Sequence, residues 1–266
     1  MTVYRACDER DLPVLKSIWL SCFEEREDAA ELFFQRNKAV FHAYACEADG
    51  ELVSALYLLD CSLGGKSAHY LCGAATLPAY RGRGLMSALI RFALQDAARR
   101  GDHYSLLLPA SETLYGFYAG FGYLPSCAVK SAVFDTDTDR QPCGGSPDLT
   151  ALQAVCSGGK SLLWDSDMIR FAADYYGCYG AVTVQSADAF AICQRYGRFT
   201  DVYYAVFRKL DDLKALLKAE GIGSFHLTAA KDCPLFDGEI VTPCGMILPL
   251  RGGGAPEDVY IGITLQ

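Results

Sequence analysis

The hydrophobic positions of this chain change their spacing repeatedly, and each change predicts a new element. Residues 3–7 read as a short strand. From Asp8 onward the apolar positions Leu12, Leu15, Ile18, Trp19 and Phe23 recur at three- and four-residue steps, the mark of a helix with one buried face. A second helix is expected over 28–35, with Ala30, Leu32, Phe33 and Phe34 apolar. Three extended runs follow, at 41–46, 52–59 and 69–77. Ala48-Asp49-Gly50 reads as a hairpin turn, and Gly64-Gly65 separates the second run from the third. Residues 85–100 return to helical spacing, with Leu85, Met86, Leu89, Ile90, Ala93 and Ala97 as the buried face. Arg99-Arg100-Gly101 closes that helix with positive charge and a glycine. A strand at 104–108, a helix with Ser111 as a plausible N-cap, and a strand at 127–134 complete the first half.

A polar stretch, 135–148, carries Pro142, Gly144, Gly145 and Pro147 and reads as a linker. Beyond it the plan recurs in part. Strands are expected at 181–186, 189–194 and 202–207, then an amphipathic helix over 210–220 (Leu210, Leu213, Leu216 and Leu217), then a strand at 224–229. The predicted organisation is a domain over 1–134, a linker over 135–148 and a second domain over 149–266.

Between the third extended run and the long helix lies Leu77-Pro78-Ala79-Tyr80-Arg81-Gly82-Arg83-Gly84-Leu85-Met86. A strand that stops at proline, turns through two glycines and opens a helix presents backbone amides and a positive helix end to an anion. Arg81 and Arg83 add charge. The ligand implied is a phosphate or pyrophosphate, although a plain tight turn would use glycines in the same way. The spacing matches neither a P-loop nor a dinucleotide fingerprint, whose third glycine falls on Ser87. The second copy has Phe207-Arg208-Lys209-Leu210-Asp211 at this point, with no glycine. An aspartate pair there satisfies the amides a phosphate would take, so this copy is not expected to bind one.

The loop resembles R-x-x-G-x-[GA], the pyrophosphate loop of the GCN5-related N-acetyltransferases, through Arg81, Gly84 and, imperfectly, Met86. Ala75-Thr76-Leu77-Pro78 resembles that family's fourth strand. Leu114-Tyr115-Gly116-Phe117-Tyr118-Ala119-Gly120-Phe121-Gly122-Tyr123 resembles its F-Y-x-x-x-G-[FY] segment. With Ser111-Glu112, the region is most similar to the enhanced intracellular survival branch. The resemblance implies an α/β fold: a mixed, mostly antiparallel sheet flanked by helices, followed by a second, degenerate domain of the same kind. It implies acetyl-CoA as co-substrate, with the pantetheine arm along Ala75, Thr76 and Leu77 and a backbone N–H near Leu77 on the acetyl carbonyl. The diphosphate is expected on the amides of Gly82, Arg83, Gly84, Leu85, Met86 and Ser87. Tyr118 is the implied general acid, with Tyr115 a decoy on the same helix face; read from the residues alone, Tyr118 is equally a core aromatic. Ser111 is either a cap or a neighbour of the coenzyme. For the general base the sequence leaves His69, Asp60, Glu47, a water molecule and the carboxylate of Gln266.

The chain has 266 residues and a formal net charge of −8. Sixteen of its 32 acidic residues fall in residues 1–135, so the acidity is spread. It disfavours nucleic acid and leans toward a cationic small-molecule amine. Twelve cysteines are scattered without a C-x-x-C pair, and the four histidines have no ligand spacing, so no metal is expected. No signal-peptide or membrane-length apolar run is apparent, which points to a reducing cytoplasm and free thiols. A homodimer is compatible with the resemblance. Two other functions fit the same residues: acetylation of protein or peptide amines, and non-catalytic sensing of acyl-CoA.

Overall fold

The computed structural model describes residues 1–36, 41–157, 160–241 and 244–265. The chain forms two compact units: Met1–Leu124 with Ile247–Gly254, and Pro125–Met246 with Ala255–Gln266.

The first unit runs β1 (Thr2–Ala6), α1 (Leu12–Cys22), α2 (Glu27–Arg36), β2 (Phe41–Ala48), β3 (Glu51–Leu63), β4 (Lys66–Thr76), α3 (Leu85–Arg100), β5 (Tyr104–Leu107) and α4 (Glu112–Ala119). Its sheet follows the order β1-β2-β3-β4-β5 and ends on a returning strand, Met246–Pro249. Strands β1 to β4 are antiparallel, and β5 lies parallel to β4, as the crossover through α3 requires. Strands β3 and β4 are longer than their apolar cores predict. They extend to the turn at Gly64 and Gly65, both at positive φ, so the glycine pair closes a long hairpin.

Alternation along the strands builds two apolar layers. On one face Trp19 stacks on Phe33 (4.6 Å between centroids) and meets Phe34 and Tyr57 edge-on. On the other, α3 buries Leu89, Ile90, Ala93 and Ala97, and the Tyr44 hydroxyl donates to Asp96 (2.8 Å). Leu85 and Met86, expected in that buried face, are only half-buried because the first turn of α3 faces the loop.

The second unit runs β6 (Val129–Asp135), α5 (Leu149–Cys156), β7 (Leu162–Leu163), α6 (Ser166–Gly177), β8 (Val182–Ser186), β9 (Ala189–Tyr196), β10 (Phe199–Phe207), α7 (Leu210–Ala219), β11 (Ser224–Ala230) and β12 (Glu239–Val241). Its sheet has the order β12-β6-β11-β10-β9-β8. Strands β8, β9 and β10 are antiparallel, and α7 carries the chain over to β11, parallel to β10. This is the β2-β3-β4-α3-β5 plan a second time, and the fold is a tandem of mixed, mostly antiparallel α/β units.

The units differ from the boundaries drawn on the sequence. The strand expected to close the first domain, β6, pairs instead with β11 and β12 of the second sheet. Its place beside β5 is taken by Met246–Pro249, where Leu124 and Ile247 exchange backbone hydrogen bonds of 2.8 and 2.9 Å. The stretch 135–148 is no spacer: Thr136 donates to Ile222 O and Gly223 O, and Lys218 to Thr138 O, all inside the second unit. The aspartates at the start of α7 do not cap it. Asp212 is buried against Arg140 (2.5 Å), and no side chain caps Lys209 at the N-cap.

Candidate active site

The gap between β4 and β5 organises the site. The two strands pair over only three positions, Ala68 to Tyr70 against Tyr104 to Leu106. Gly73 then takes φ +59°, and the β3–β4 register shifts between Ala55 and Tyr57. This bulge bends β4 away from its parallel neighbour. The Leu77 amide donates to Val53 O (2.9 Å), back toward β3. Because successive strand amides point to opposite edges, Thr76 directs its N–H into the gap. Its carbonyl accepts from Arg81 Nε (2.9 Å), and its hydroxyl is 2.8 Å from that of Ser54. The carbonyl-polarising amide is expected near Leu77 from the sequence; the Leu77 amide is bonded to Val53 O, and the amide that faces the gap is that of Thr76. Ala75, paired with Ala55, likewise turns its amide to β3.

At the end of β4 the chain makes a 3-10 turn over Pro78–Tyr80 and passes Gly82 (φ +75°) and Gly84 (φ +73°) into α3. Gly84 is the N-cap and no side chain caps it. After the Arg81 amide, which donates to Pro78 O (3.3 Å), the next amide with an accepting carbonyl is that of Ala88, on Gly84 O (3.1 Å). The preceding amides, Gly82 to Ser87, have no partner among the described residues and lie at an exposed to half-buried surface. Open amides at a helix N-terminus are the arrangement that suits an anion. The arginine side chains shape it more than they fill it: Arg83 donates to Ala79 O (2.9 Å) and lies over the Tyr80 ring (4.9 Å).

Tyr118, on α4, is 8 % exposed. Its ring packs edge-on against Phe117 and Tyr123. Tyr123 shares a hydrogen bond with Ser105; the Tyr118 hydroxyl has no partner among the described residues. Burial, and secondarily the Cys72 thiol, raise the Tyr118 pKa. The phenol therefore keeps its proton at neutral pH. Burial also pushes Cys72 up to about 12, so it sits beside the phenol as a neutral thiol.

Residues 3–125 match the family model for the acetyltransferase (GNAT) domain. The chain carries a GNAT acetyltransferase domain. The same tandem architecture occurs in a GCN5-related N-acetyltransferase from Kribbella flavida (TM-score 0.71, 16% identity, 93% of this chain and 70% of that one). It occurs in Eis1 from Mycobacterium abscessus (0.66, 15%, 94% and 74%). A conserved protein of Enterococcus faecalis V583 aligns with TM-score 0.72 at 15% identity, over 94% and 73% of the two chains. No curated protein matches the sequence.

Within the acetyltransferase domain, Ser111 stands at the N-cap of α4, yet its hydroxyl bonds that of Thr113 (2.9 Å) and not a helix amide. His69 is not at the gap's mouth. It is fully buried, its Nδ1 is 2.7 Å from Asp102 Oδ2, and its Nε2 has no partner among the described residues. A base must reach the amine, and this imidazole is locked in the core. Asp60 lies 3.4 Å from His42 at the surface. Gln266 lies outside the described residues. Among the described residues no cluster of three or more His, Cys, Asp or Glu could hold a metal, and no helix is long and apolar enough to cross a membrane. The feature missed in the sequence is the bulge. Its signal was present as Gly73, a glycine inside an apolar strand.

Proposed function

We propose that the first unit transfers an acetyl group from acetyl-CoA directly to the primary amine of a small, cationic acceptor. The carrying observation is the open row of amides from Gly82 to Ser87 at the end of a strand whose next amide inward, Thr76, points into an unpaired gap. The row suits a diphosphate; the gap suits an extended arm with hydrogen-bonding amides. The neutral amine attacks the acetyl carbon while the Thr76 N–H takes up charge on the carbonyl oxygen. The C–S bond breaks, and Tyr118 gives its proton to the departing sulfur. Water carries the amine's proton away, since the His69 imidazole is enclosed. The chain's acidity supports a cationic acceptor by raising its local concentration.

The test is thiol release from acetyl-CoA against polyamines, aminoglycosides, amino acids and peptides. Turnover with a free amine and loss of it in Tyr118→Phe support the reading. Turnover confined to peptides moves the acceptor class to proteins, and binding of acetyl-CoA with no acceptor turned over leaves a sensor.

A further inference from the structure

The second unit repeats the gap. Strands β10 and β11 also pair in parallel over three positions, Thr200 to Val202 against Phe225 to Leu227, and then separate. The middle strand is again bulged, here between Val202 and Tyr204. The Arg208 amide donates to Asp188 O (2.9 Å), as Leu77 does to Val53 O. Phe207 therefore holds the position of Thr76, with its amide turned into the gap.

In the first unit that amide has no partner among the described residues. In the second, the Phe207 N–H donates to Cys156 Sγ (3.2 Å), and the Cys156 thiol donates to Phe207 O (3.3 Å). The thiol comes from the last residue of α5. Beside it lies a mostly apolar crevice of about 380 Å3, measured out to its open mouth. Cys156, Tyr204, Phe207, Ala229, Cys233 and Tyr260 are among its walls, and its enclosed part admits little more than water.

We propose that this crevice is a second site for a short thiol-bearing amide arm, self-occupied in the resting chain by Cys156 standing where such an arm's sulfur would lie. The proposal rests on the reading of the first gap as a thioester channel. Burial pushes the Cys156 thiol up to about 12, so the sulfur keeps the proton it donates to Phe207 O. Without glycines before α7, and with Asp212 near that helix start, the second site lacks a diphosphate cradle. Its ligand is thus the arm alone, not a nucleotide-bearing coenzyme.

The experiment uses the full chain with acetyl-CoA at saturation, so that the first gap is filled, and N-acetylcysteamine as the probe. Cys156→Ala empties the sulfur position, and the probe raises its Tm by a few degrees through mass action. Wild type and Cys156→Ser, whose hydroxyl can make both bonds, show no shift. A folded Cys156→Ala that does not respond, or a shift equal in all three, overturns the proposal. Hydrogen exchange on the wild type gives a second measurement independent of any variant. The Phe207 amide is protected without ligand, and the Thr76 amide becomes protected only when acetyl-CoA is added. Equal, fast exchange of both in the ligand-free chain overturns self-occupation. Failure of acetyl-CoA to protect Thr76 speaks against the first gap's function instead.

Discussion

Trp19 covers Gly73 so closely that a Cβ at that glycine would come within 2.3 Å of the indole Cζ3 and 2.8 Å of the Tyr57 ring. Two constraints coincide there, a left-handed φ and an aromatic lid. Gly73→Ala is expected to cost about 1–3 kcal/mol for overpacking and about 1–2 kcal/mol for the backbone. The lid must shift or the bulge must relax, and either change narrows the gap. Thermal unfolding is predicted to show a lower Tm, and steady-state kinetics a raised KM for acetyl-CoA.

Tyr118→Phe removes a hydroxyl that has no partner among the described residues and leaves the ring packing intact. Stability should change little. Turnover should fall by roughly 10²–10⁴, the range for losing a positioned acid, while calorimetric affinity for acetyl-CoA is unchanged. Tyr115→Phe is the comparison, and it is predicted to keep most of the activity.

Gly84 combines positive φ with the N-cap of α3, and open space surrounds its missing side chain. Gly84→Ala meets no clash, so its effect is conformational, about 1 kcal/mol. If the loop escapes the strain by leaving the left-handed region, the amides of Leu85 to Ser87 turn from their common focus. The Kd of acetyl-CoA should rise about fivefold to tenfold, with diphosphate-free thioester fragments unaffected.

His69 gives the fold a pH dependence. In the unfolded chain it takes up a proton near pH 6.5. In the folded chain burial lowers its pKa, against the opposing pull of Asp102. The unfolded state therefore binds more protons below pH 6.5, and stability present above that value falls as the pH drops toward the folded pKa. Asp102 adds a loss of the same sign at more acid pH. Burial pushes its pKa up, but His69, Ser67 and Arg100 outweigh it and hold the carboxyl below its ordinary value. Tm measured from pH 7.5 to 5 should decline in the wild type, and His69→Gln should show a flatter decline from a lower starting point.

The elements that sequence spacing found are apolar runs bounded by turn residues and helices with one apolar face. Helix α3, the hairpin β2–β3 and the run β8-β9-β10-α7-β11 lie within a few residues of expectation for that reason. Helices α5 and α6 were passed over although each begins on an aspartate N-cap, Asp148 on Ala151 N and Asp165 on Met168 N. The partnership of β6 was unreadable for another reason. An apolar strand specifies a face, not a neighbour, and β6 reads alike beside β5 or β11. At the site, glycines and tyrosines were legible because they stand together in two short motifs, 81–86 and 114–123. Which of Ala75, Thr76 and Leu77 offers its amide was not, since it depends on bulge parity. The burial of His69 was hidden because Asp102, its partner, stands 33 residues away.

The returning strand Met246–Pro249 has a practical result for anyone dissecting the chain. A fragment ending near residue 125 contains the whole family match but strips the outer margin of β5, baring a row of backbone donors and acceptors that neighbouring molecules can zip onto. Autonomy of the first unit thus depends on a ribbon encoded more than a hundred residues downstream.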